Sequence, residues 1–250
     1  MKKVIFIFLF LIGFSSAAIA QTYGAKKNYE VDSTLYYYDS KGEIFDEGSI
    51  VTILNEPCLV LRSNKGQDGL VMSLNWRPAT KEHGKICASI IYNPSFGGAY
   101  SNRKPLNKLK LNDDDFGVSN LMRIYNILDM SIDYNLEDFH MFNTIVSMGN
   151  GWYIPAKNEL NLFFKAIGVE PSDGKKEILN KVNSKRVEAG LKPVKKLQLY
   201  SSTETDYAGF WDVKYWALDH KHPYLIERTI YLDKVGDPCA VPAHLIKSVD

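Results

Sequence analysis

The stretch GWYIPAKNEL, residues 151–160, decides the fold prediction together with LYSSTE, residues 199–204. The ring of Pro155 excludes the α region for the residue before it, so the chain is extended up to that point. A helix is predicted to follow and to stop at Gly168. Its apolar residues recur at helical spacing on one face: Leu160, Phe163, Phe164 and Ile167. An amphipathic helix of this kind must pack against another element.

The predicted start of this helix lacks half of a capping box. Ala156 stands at the position where Ser or Thr would accept a hydrogen bond from the helix N-terminus, and losing that bond costs about 1 kcal/mol. Glu159, three residues later, can still accept from the backbone at the start of the helix.

The two stretches resemble motifs of the Lcl C-terminal-domain family, bacterial C-type-lectin-like modules with W-x-L-P-S/T-x-x-E-L followed by W/Y-S-S-T-E. The matching residues are Trp152, Pro155, Glu159, Leu160, Tyr200, Ser201, Ser202, Thr203 and Glu204. Upstream, DFGVSNLMRI resembles the D-G-x-x-N-T-x-x-I stretch of many relatives at Asp115, Gly117, Asn120 and Ile124. The resemblance implies an α+β fold with a C-type-lectin-like core over residues 113–250. It also implies a structural role for Trp152, Pro155, Glu159, Leu160, Ser201, Ser202 and Thr203.

The first 20 residues have the pattern of a secretory signal peptide. Lys2 and Lys3 precede an apolar run over residues 4–14, and the small residues end in Ala-Ile-Ala at Ala20, so the exported chain should begin at Gln21. The run is too short for a permanent membrane span. We expect a periplasmic, cell-surface or secreted protein; an uncleaved anchor is the alternative.

Charge and composition narrow the partner classes. Removing residues 1–20 takes away two of the 30 basic residues and none of the 29 acidic ones, so the exported chain is nearly neutral and no nucleic-acid partner is expected. A hydrophobic fraction of 45% with 12% aromatic residues indicates a packed core. The three cysteines, Cys58, Cys87 and Cys239, allow at most one bridge, and which pair would form it stays open. Relatives often pair a cysteine of the helix preceding the first motif with one of the last strand, but residues 139–148 contain none.

Residues 21–112 are predicted to form a small antiparallel β region ahead of the lectin-like core. Gly66 to Gly69 indicates a hairpin loop, because glycine permits positive φ. Residues 77–110 indicate a long loop with one strand at 86–92. The remaining predicted strands lie at residues 34–38, 50–54, 58–62 and 70–74.

The middle of the chain is predicted to be helical. Ser119 is the expected N-cap of a helix with an apolar face at Leu121, Ile124, Tyr125 and Leu128, and Asn135 that of the next helix, which ends at Gly149. Residues 175–196 are predicted as an inserted basic helix with Gly190 as its stop. It carries Lys175, Lys176, Lys181, Lys185, Arg186, Lys192, Lys195 and Lys196. A solvated face is the simple interpretation, and a contact for acidic glycans or phosphorylated surfaces is the alternative.

Strands are predicted again at residues 210–218, 225–232 and 240–246. In the first of them Asp212, Lys214 and Trp216 share one face, and Glu204, Asp206 and Tyr207 precede it in a predicted polar loop. An aromatic ring flanked by hydrogen-bonding groups suits a sugar, so these six residues are the predicted ligand site. The alternatives are that Trp216 and Leu218 belong to the core with Trp211 outside, or that both faces of the strand are covered.

No reactive or metal-binding set stands out. Ser201 and Ser202 lack a nucleophile elbow, the acidic run Asp113 to Asp115 lacks the spacing of a calcium loop, and His220 and His222 lack a third ligand. We therefore expect no catalytic residue, no metal and no cofactor. The predicted function is a non-catalytic binding module for a glycan or a surface protein. A structural subunit of a surface assembly and an enzyme with an unrecognised site are the alternatives.

Overall fold

A computed structural model of the chain describes residues 36–78, 111–130, 136, 140–208, 213–229 and 239–247. The predicted signal peptide, the strand at 86–92, Cys87, Asn135 and Asp212 lie outside these residues. The fold is α+β, with four helices and ten strands in the described part. None of those helices is long and apolar enough to cross a bilayer.

The first sheet joins the beginning and the end of the described chain. Its order is β1-β10-β4-β3-β2, with β1 parallel to β10 and the other neighbours antiparallel. The strand bounds are β1 Tyr37–Asp39, β2 Ile50–Ile53, β3 Glu56–Arg62, β4 Gly69–Ser73 and β10 Ala243–Lys247. Because β10 lies between β1 and β4, the N-terminal strands share one sheet with the last strand, across the predicted boundary at residue 112.

The predicted hairpin of the first sheet is confirmed. Strands β3 and β4 pair antiparallel, and Gly66 in the connecting loop has φ +69°. Cys58, on β3, is a buried free thiol whose pKa is raised, chiefly by burial.

The second sheet has the order β5-β9-β6-β7-β8. Strands β9 and β6 run parallel, and the other neighbours are antiparallel. The bounds are β5 Arg77–Pro78, β6 Gln198–Ala208, β7 Val213–Asp219, β8 Ile226–Thr229 and β9 Cys239–Ala240. The strand predicted at 240–246 is divided into β9 and β10, and the break contains Pro242, whose carbonyl accepts a hydrogen bond from Ser73 of β4.

Four helices lie between the strands: α1 Gly117–Met130, α2 His140–Val146, α3 Lys157–Ala166 and α4 Lys175–Glu188. The predicted face of α3 is confirmed, because Leu160, Phe163, Phe164 and Ile167 are all buried. On α1 the predicted face is also buried at Leu121, Ile124 and Leu128, with Tyr125 half-buried.

Two helix predictions need correction. Ser119 does not cap α1, which begins two residues earlier; the Asp113 side chain accepts the amides of Asp115 and Phe116 and forms the turn that precedes the helix. The basic helix α4 ends at Glu188 instead of residue 196. Gly190, with φ +75°, ends it as predicted, and residues 191–196 form a loop.

Candidate functional site

The three motif stretches identified in the sequence meet at one buried junction. Tyr153 forms two backbone hydrogen bonds with Ala243 of β10, which attaches the GWYIPAKNEL stretch to the first sheet. The amide of Ser202, on β6, donates to the carbonyl of Pro155 at 2.8 Å, which attaches the same stretch to the second sheet. This stretch therefore connects the two sheets, and α3 starts from the connection.

Glu159 lies at the centre of the junction and is 3% exposed. Its Oε2 accepts the amide of Gly117 at 2.9 Å and that of Ala156 at 2.8 Å, and its Oε1 accepts the hydroxyl of Tyr153 at 2.9 Å. The Ala156 bond is the half of a capping box that the sequence leaves possible. Burial raises the pKa of Glu159, and the three donors oppose that rise by stabilising the carboxylate.

Gly117 is placed where no side chain fits. A Cβ at this position would lie 2.1 Å from the carbonyl oxygen of Ile154 and 2.8 Å from the ring of Tyr153. Glycine therefore lets α1 approach the GWYIPAKNEL stretch closely enough for its amide to reach Glu159.

Asn120 joins the third stretch to the same junction. Its Nδ2 donates to the Ser202 hydroxyl at 3.0 Å and to the Asp113 carbonyl at 2.9 Å. The Thr203 hydroxyl donates to the same carbonyl at 2.9 Å and accepts the amide of Lys157 at 2.9 Å. Each of these side chains bonds to backbone or to another motif residue, so the junction leaves no polar group aimed at a ligand.

The remaining residues for which a structural role was predicted lie in the same region. Trp152 is 2% exposed and its ring meets the His244 ring edge-on at 5.2 Å between centroids. Leu160 is fully buried, and Pro155 is buried as well. The Ser201 hydroxyl forms a local turn by accepting the amide of Thr203 at 3.2 Å.

The predicted ligand residues do not come together in an exposed loop as expected. Asp212 lies outside the described residues. Glu204, Asp206 and Tyr207 belong to strand β6 and not to a polar loop. Glu204 is also buried, and its carboxylate accepts the amide of Leu111 at 3.4 Å. It is therefore part of the packing of β6 against the chain before α1.

Among the predicted ligand residues whose side chains are described, Trp216 is the one that lies at the surface. It is half-buried on β7, on the same face as Lys214, of which the backbone alone is described. The next residues, Ala217 and Leu218, are buried on opposite faces. Both faces of β7 are thus covered at Ala217 and Leu218. Trp216, the residue before them, is partly exposed.

Lys157 lies over the ring of Trp216 and belongs to a polar group formed by two other segments. The Nζ of Lys157, at the start of α3, lies 4.2 Å from the centroid of the indole ring and 3.3 Å from Oδ2 of Asp114. Asn158 donates through Nδ2 to Asp115 at 2.8 Å and through its amide to the Asp114 carbonyl at 2.7 Å. We call these five residues the Trp216 surface: Trp216, Lys157, Asp114, Asp115 and Asn158.

The Trp216 surface combines one aromatic ring with an ammonium, an amide and two carboxylates. Phe116, the next residue after Asp115, is 51% exposed and adds an apolar ring to the same loop. Strand β8 places Glu227 opposite Trp216 in the ladder. Such a set can stack on an apolar ring face and exchange hydrogen bonds with hydroxyl groups, but it contains no nucleophile with an adjacent base.

The candidate metal positions take other roles. Asp113 uses its side chain to bond the backbone before α1, and its neighbours Asp114 and Asp115 bond Lys157 and Asn158. His220 is buried and accepts the amide of Leu197, whereas the ring of His222 packs on Tyr224. Among the described residues, no group of three or more His, Cys, Asp or Glu is arranged to hold a metal ion.

Sequence reasoning assigns no role to Lys157 or Asn120. Asn120 is one of the residues that carry the resemblance, which implies no role for it. The contact between Lys157 and Trp216 joins a helix start to a strand far along the chain, and no local pattern indicates such a pairing.

No protein-family model, curated protein or solved structure is significantly similar to this chain. The resemblance to the Lcl C-terminal-domain family therefore rests on the motif residues alone.

Proposed function

We propose that this chain is an exported, non-catalytic binding module with a C-type-lectin-like core, and that the Trp216 surface binds a glycan. The core assignment is supported by the way the residues of the resemblance cooperate. Gly117, Asn120, Pro155, Glu159 and Ser202 come from three separate stretches and bond to one another in one buried junction. Residues that hold a fold together in this way leave ligand binding to a different surface.

The observation that carries the glycan proposal is the environment of Trp216. The ammonium of Lys157 lies 4.2 Å from the centroid of a half-buried indole and pairs with the carboxylate of Asp114 at 3.3 Å. The C–H face of a sugar packs on an aromatic ring, and its hydroxyl groups both donate and accept hydrogen bonds. Lysine supplies donors for this purpose, and the two aspartates supply acceptors.

Lys157 covers part of the indole in the free protein, and this contact is weak enough to yield to a ligand. An exposed cation–π pair is worth about 0.5–1 kcal/mol, and an exposed ion pair about 0–1 kcal/mol. The side chain of Lys157 is 27% exposed and that of Asp114 is 44% exposed, so water screens both contacts. A ligand that stacks on Trp216 can therefore displace the ammonium and then accept a hydrogen bond from it.

The experiment is an array of glycans and extracellular-matrix proteins probed with residues 21–250, followed by affinity measurements on any ligand found. Trp216→Ala should weaken binding about tenfold or more, which corresponds to losing an aromatic stacking contact of about 1.5 kcal/mol. Tyr224→Ala is the matched control, since Tyr224 is an exposed aromatic outside the Trp216 surface. Equal affinity for wild type and a folded Trp216→Ala variant would refute the proposed site.

The array also separates the two ligand classes, because a matrix protein and a free glycan give different signals. Size-exclusion chromatography tests the alternative of a structural subunit. A structural subunit should elute as an assembly, so a monodisperse monomer would disfavour that alternative.

A further inference from the structure

A second surface forms where α4 ends and where β6 and β7 meet. Asn183 of α4 holds the loop that follows it by accepting the amide of Val194 at 2.7 Å and donating to its carbonyl at 2.9 Å. Arg186 packs on Trp76, 4.4 Å from the ring centroid, and donates through Nε to the Lys192 carbonyl at 3.0 Å. The loop backbone is thus fixed to the helix.

The turn after β7 lies beside this loop. Gln198 pairs with Asp219 in the ladder, and the amide of the preceding residue, Leu197, donates to Nδ1 of His220 at 3.2 Å. Lys196 precedes Leu197 in the loop, and Lys221 follows His220 in the turn. The loop and the turn therefore form one surface. We call this surface the lysine end; its exposed residues are Val187, Lys192, Lys195, Lys196, Lys221 and Tyr224.

The charge of the lysine end is uncompensated within the described chain. None of its four lysines has a carboxylate partner there, whereas Lys181 and Lys185 of α4 are paired with Asp173 and Glu188. The carboxylate of the adjoining turn, Asp219, is 5% exposed, and it accepts the amide of Lys221. The four ammonium groups therefore face solvent beside a fixed backbone.

Two exposed apolar side chains come from the same segments as these charges: Val187 follows Arg186, which bonds the Lys192 carbonyl, and Tyr224 follows Lys221. Val187 is 59% exposed and Tyr224 is 57% exposed, the two highest values among the exposed large hydrophobic residues of the described chain. In a peripheral membrane contact, lysines lie at the level of the lipid phosphates, and tyrosine and aliphatic side chains insert beside them. A soluble polyanion would use the ammonium groups but would leave Val187 in water.

We infer that the lysine end docks on the surface of an anionic phospholipid bilayer, with its four lysines on the headgroups and with Val187 and Tyr224 entering the interface. Each lysine near such a surface strengthens binding about fivefold. This contact does not depend on the glycan site. Trp216 lies on β7, whereas Lys221 lies in the turn that follows the end of this strand at Asp219, and the two surfaces can act separately.

The test is sedimentation with vesicles of phosphatidylcholine alone or mixed with phosphatidylglycerol. The protein is purified after export, with its N-terminus verified at Gln21, because an uncleaved apolar run would bind vesicles itself. We expect binding to the mixed vesicles that falls about 25-fold or more in Lys195→Glu/Lys196→Glu. Lys175→Glu/Lys176→Glu is the matched control, since it changes the net charge equally at the exposed first turn of α4. It should bind within about threefold of wild type, and equal losses in both variants would overturn the proposal.

Two further arms distinguish a bilayer from other partners. Val187→Ser/Tyr224→Ser should weaken vesicle binding roughly tenfold, because it removes the inserted apolar groups. If wild type binds dextran sulfate but not vesicles, or if this variant binds vesicles like wild type, the lysine end recognises a polyanionic chain and the inference is wrong. Trp216→Ala should keep full vesicle binding, so failure of the glycan proposal would leave this result unchanged. Thermal melting confirms that each variant is folded.

Discussion

The junction around Glu159 gives the sharpest stability prediction. Replacing Glu159 by Ala leaves three buried donors without an acceptor: the amides of Gly117 and Ala156 and the hydroxyl of Tyr153. Each buried donor that loses its partner costs about 1–3 kcal/mol, so the variant should lose roughly 3–9 kcal/mol. A loss of this size is comparable with the whole stability of a typical domain.

Glu159→Gln is the matched control for this loss. Its amide oxygen can accept the two backbone amides, and its NH₂ group can donate to the hydroxyl oxygen of Tyr153, so the Tyr153 hydroxyl proton is the one donor that loses its acceptor. The neutral amide also avoids burying a charge. Because burial raises the pKa of Glu159 in the folded state, the carboxylate binds its proton more tightly there than in the unfolded chain. Its ionisation therefore destabilises the fold as pH rises through the window above about 4.5. We expect Glu159→Gln to lose at most about 1–3 kcal/mol at neutral pH, which is less than the loss in Glu159→Ala.

The assay is urea unfolding at neutral pH, followed by circular dichroism for wild type and both variants. The slope of the unfolding free energy against urea should stay constant, so that midpoint shifts report stability. Equal midpoints for Glu159→Ala and wild type would refute the reasoning, because they would mean that the three donors find other partners. A Glu159→Gln variant as unstable as Glu159→Ala would refute it too, since the charge and not the hydrogen bonds would then matter.

Four further predictions follow from buried or terminal groups. Trp152→Ala should lose about 3–5 kcal/mol in urea unfolding, and a variant that unfolds like wild type would show that the indole is not part of the core. Gly117→Ala should lose about 1–3 kcal/mol, because its Cβ would meet the Ile154 carbonyl; unchanged stability would mean that the backbone shifts freely. Burial lowers the pKa of His244, so the unfolded chain protonates first and stability should fall below about pH 6.5; a His244→Gln variant with the same pH dependence would assign the fall elsewhere. Mass spectrometry of the exported chain should show cleavage after Ala20, and an intact N-terminus would contradict the predicted signal peptide.

Local sequence patterns predicted the individual elements well. Pro155 and Gly168 bracket α3, and Gly190 ends α4, because proline and glycine restrict or permit backbone angles that the neighbouring residues cannot change. The loop of the β3–β4 hairpin was predictable for the same reason. The start of α1 was not, since the Asp113 side chain forms the turn before the helix, which begins two residues ahead of the residue expected to cap it.

Long-range pairing was outside the reach of those patterns. Nothing in residues 243–247 indicates that they pair with both Tyr37–Asp39 and Gly69–Ser73, because strand partners are chosen by the packing of the whole sheet. The same limit explains Glu204, whose polar neighbours favoured a loop although β6 continues through it. At the candidate site, the aromatic residue could be predicted from strand alternation, but its partner Lys157 could not.

The most direct test of the proposed binding surface is an NMR titration of ¹⁵N-labelled residues 21–250 with the glycan identified on the array. The chain has four tryptophans, and the Trp216→Ala variant identifies which indole N–H signal belongs to Trp216. This signal and the Lys157 amide should shift on saturation, whereas the buried Trp152 indole should not. A glycan that saturates the protein while the Trp216 indole signal stays in place would contradict the proposed binding surface.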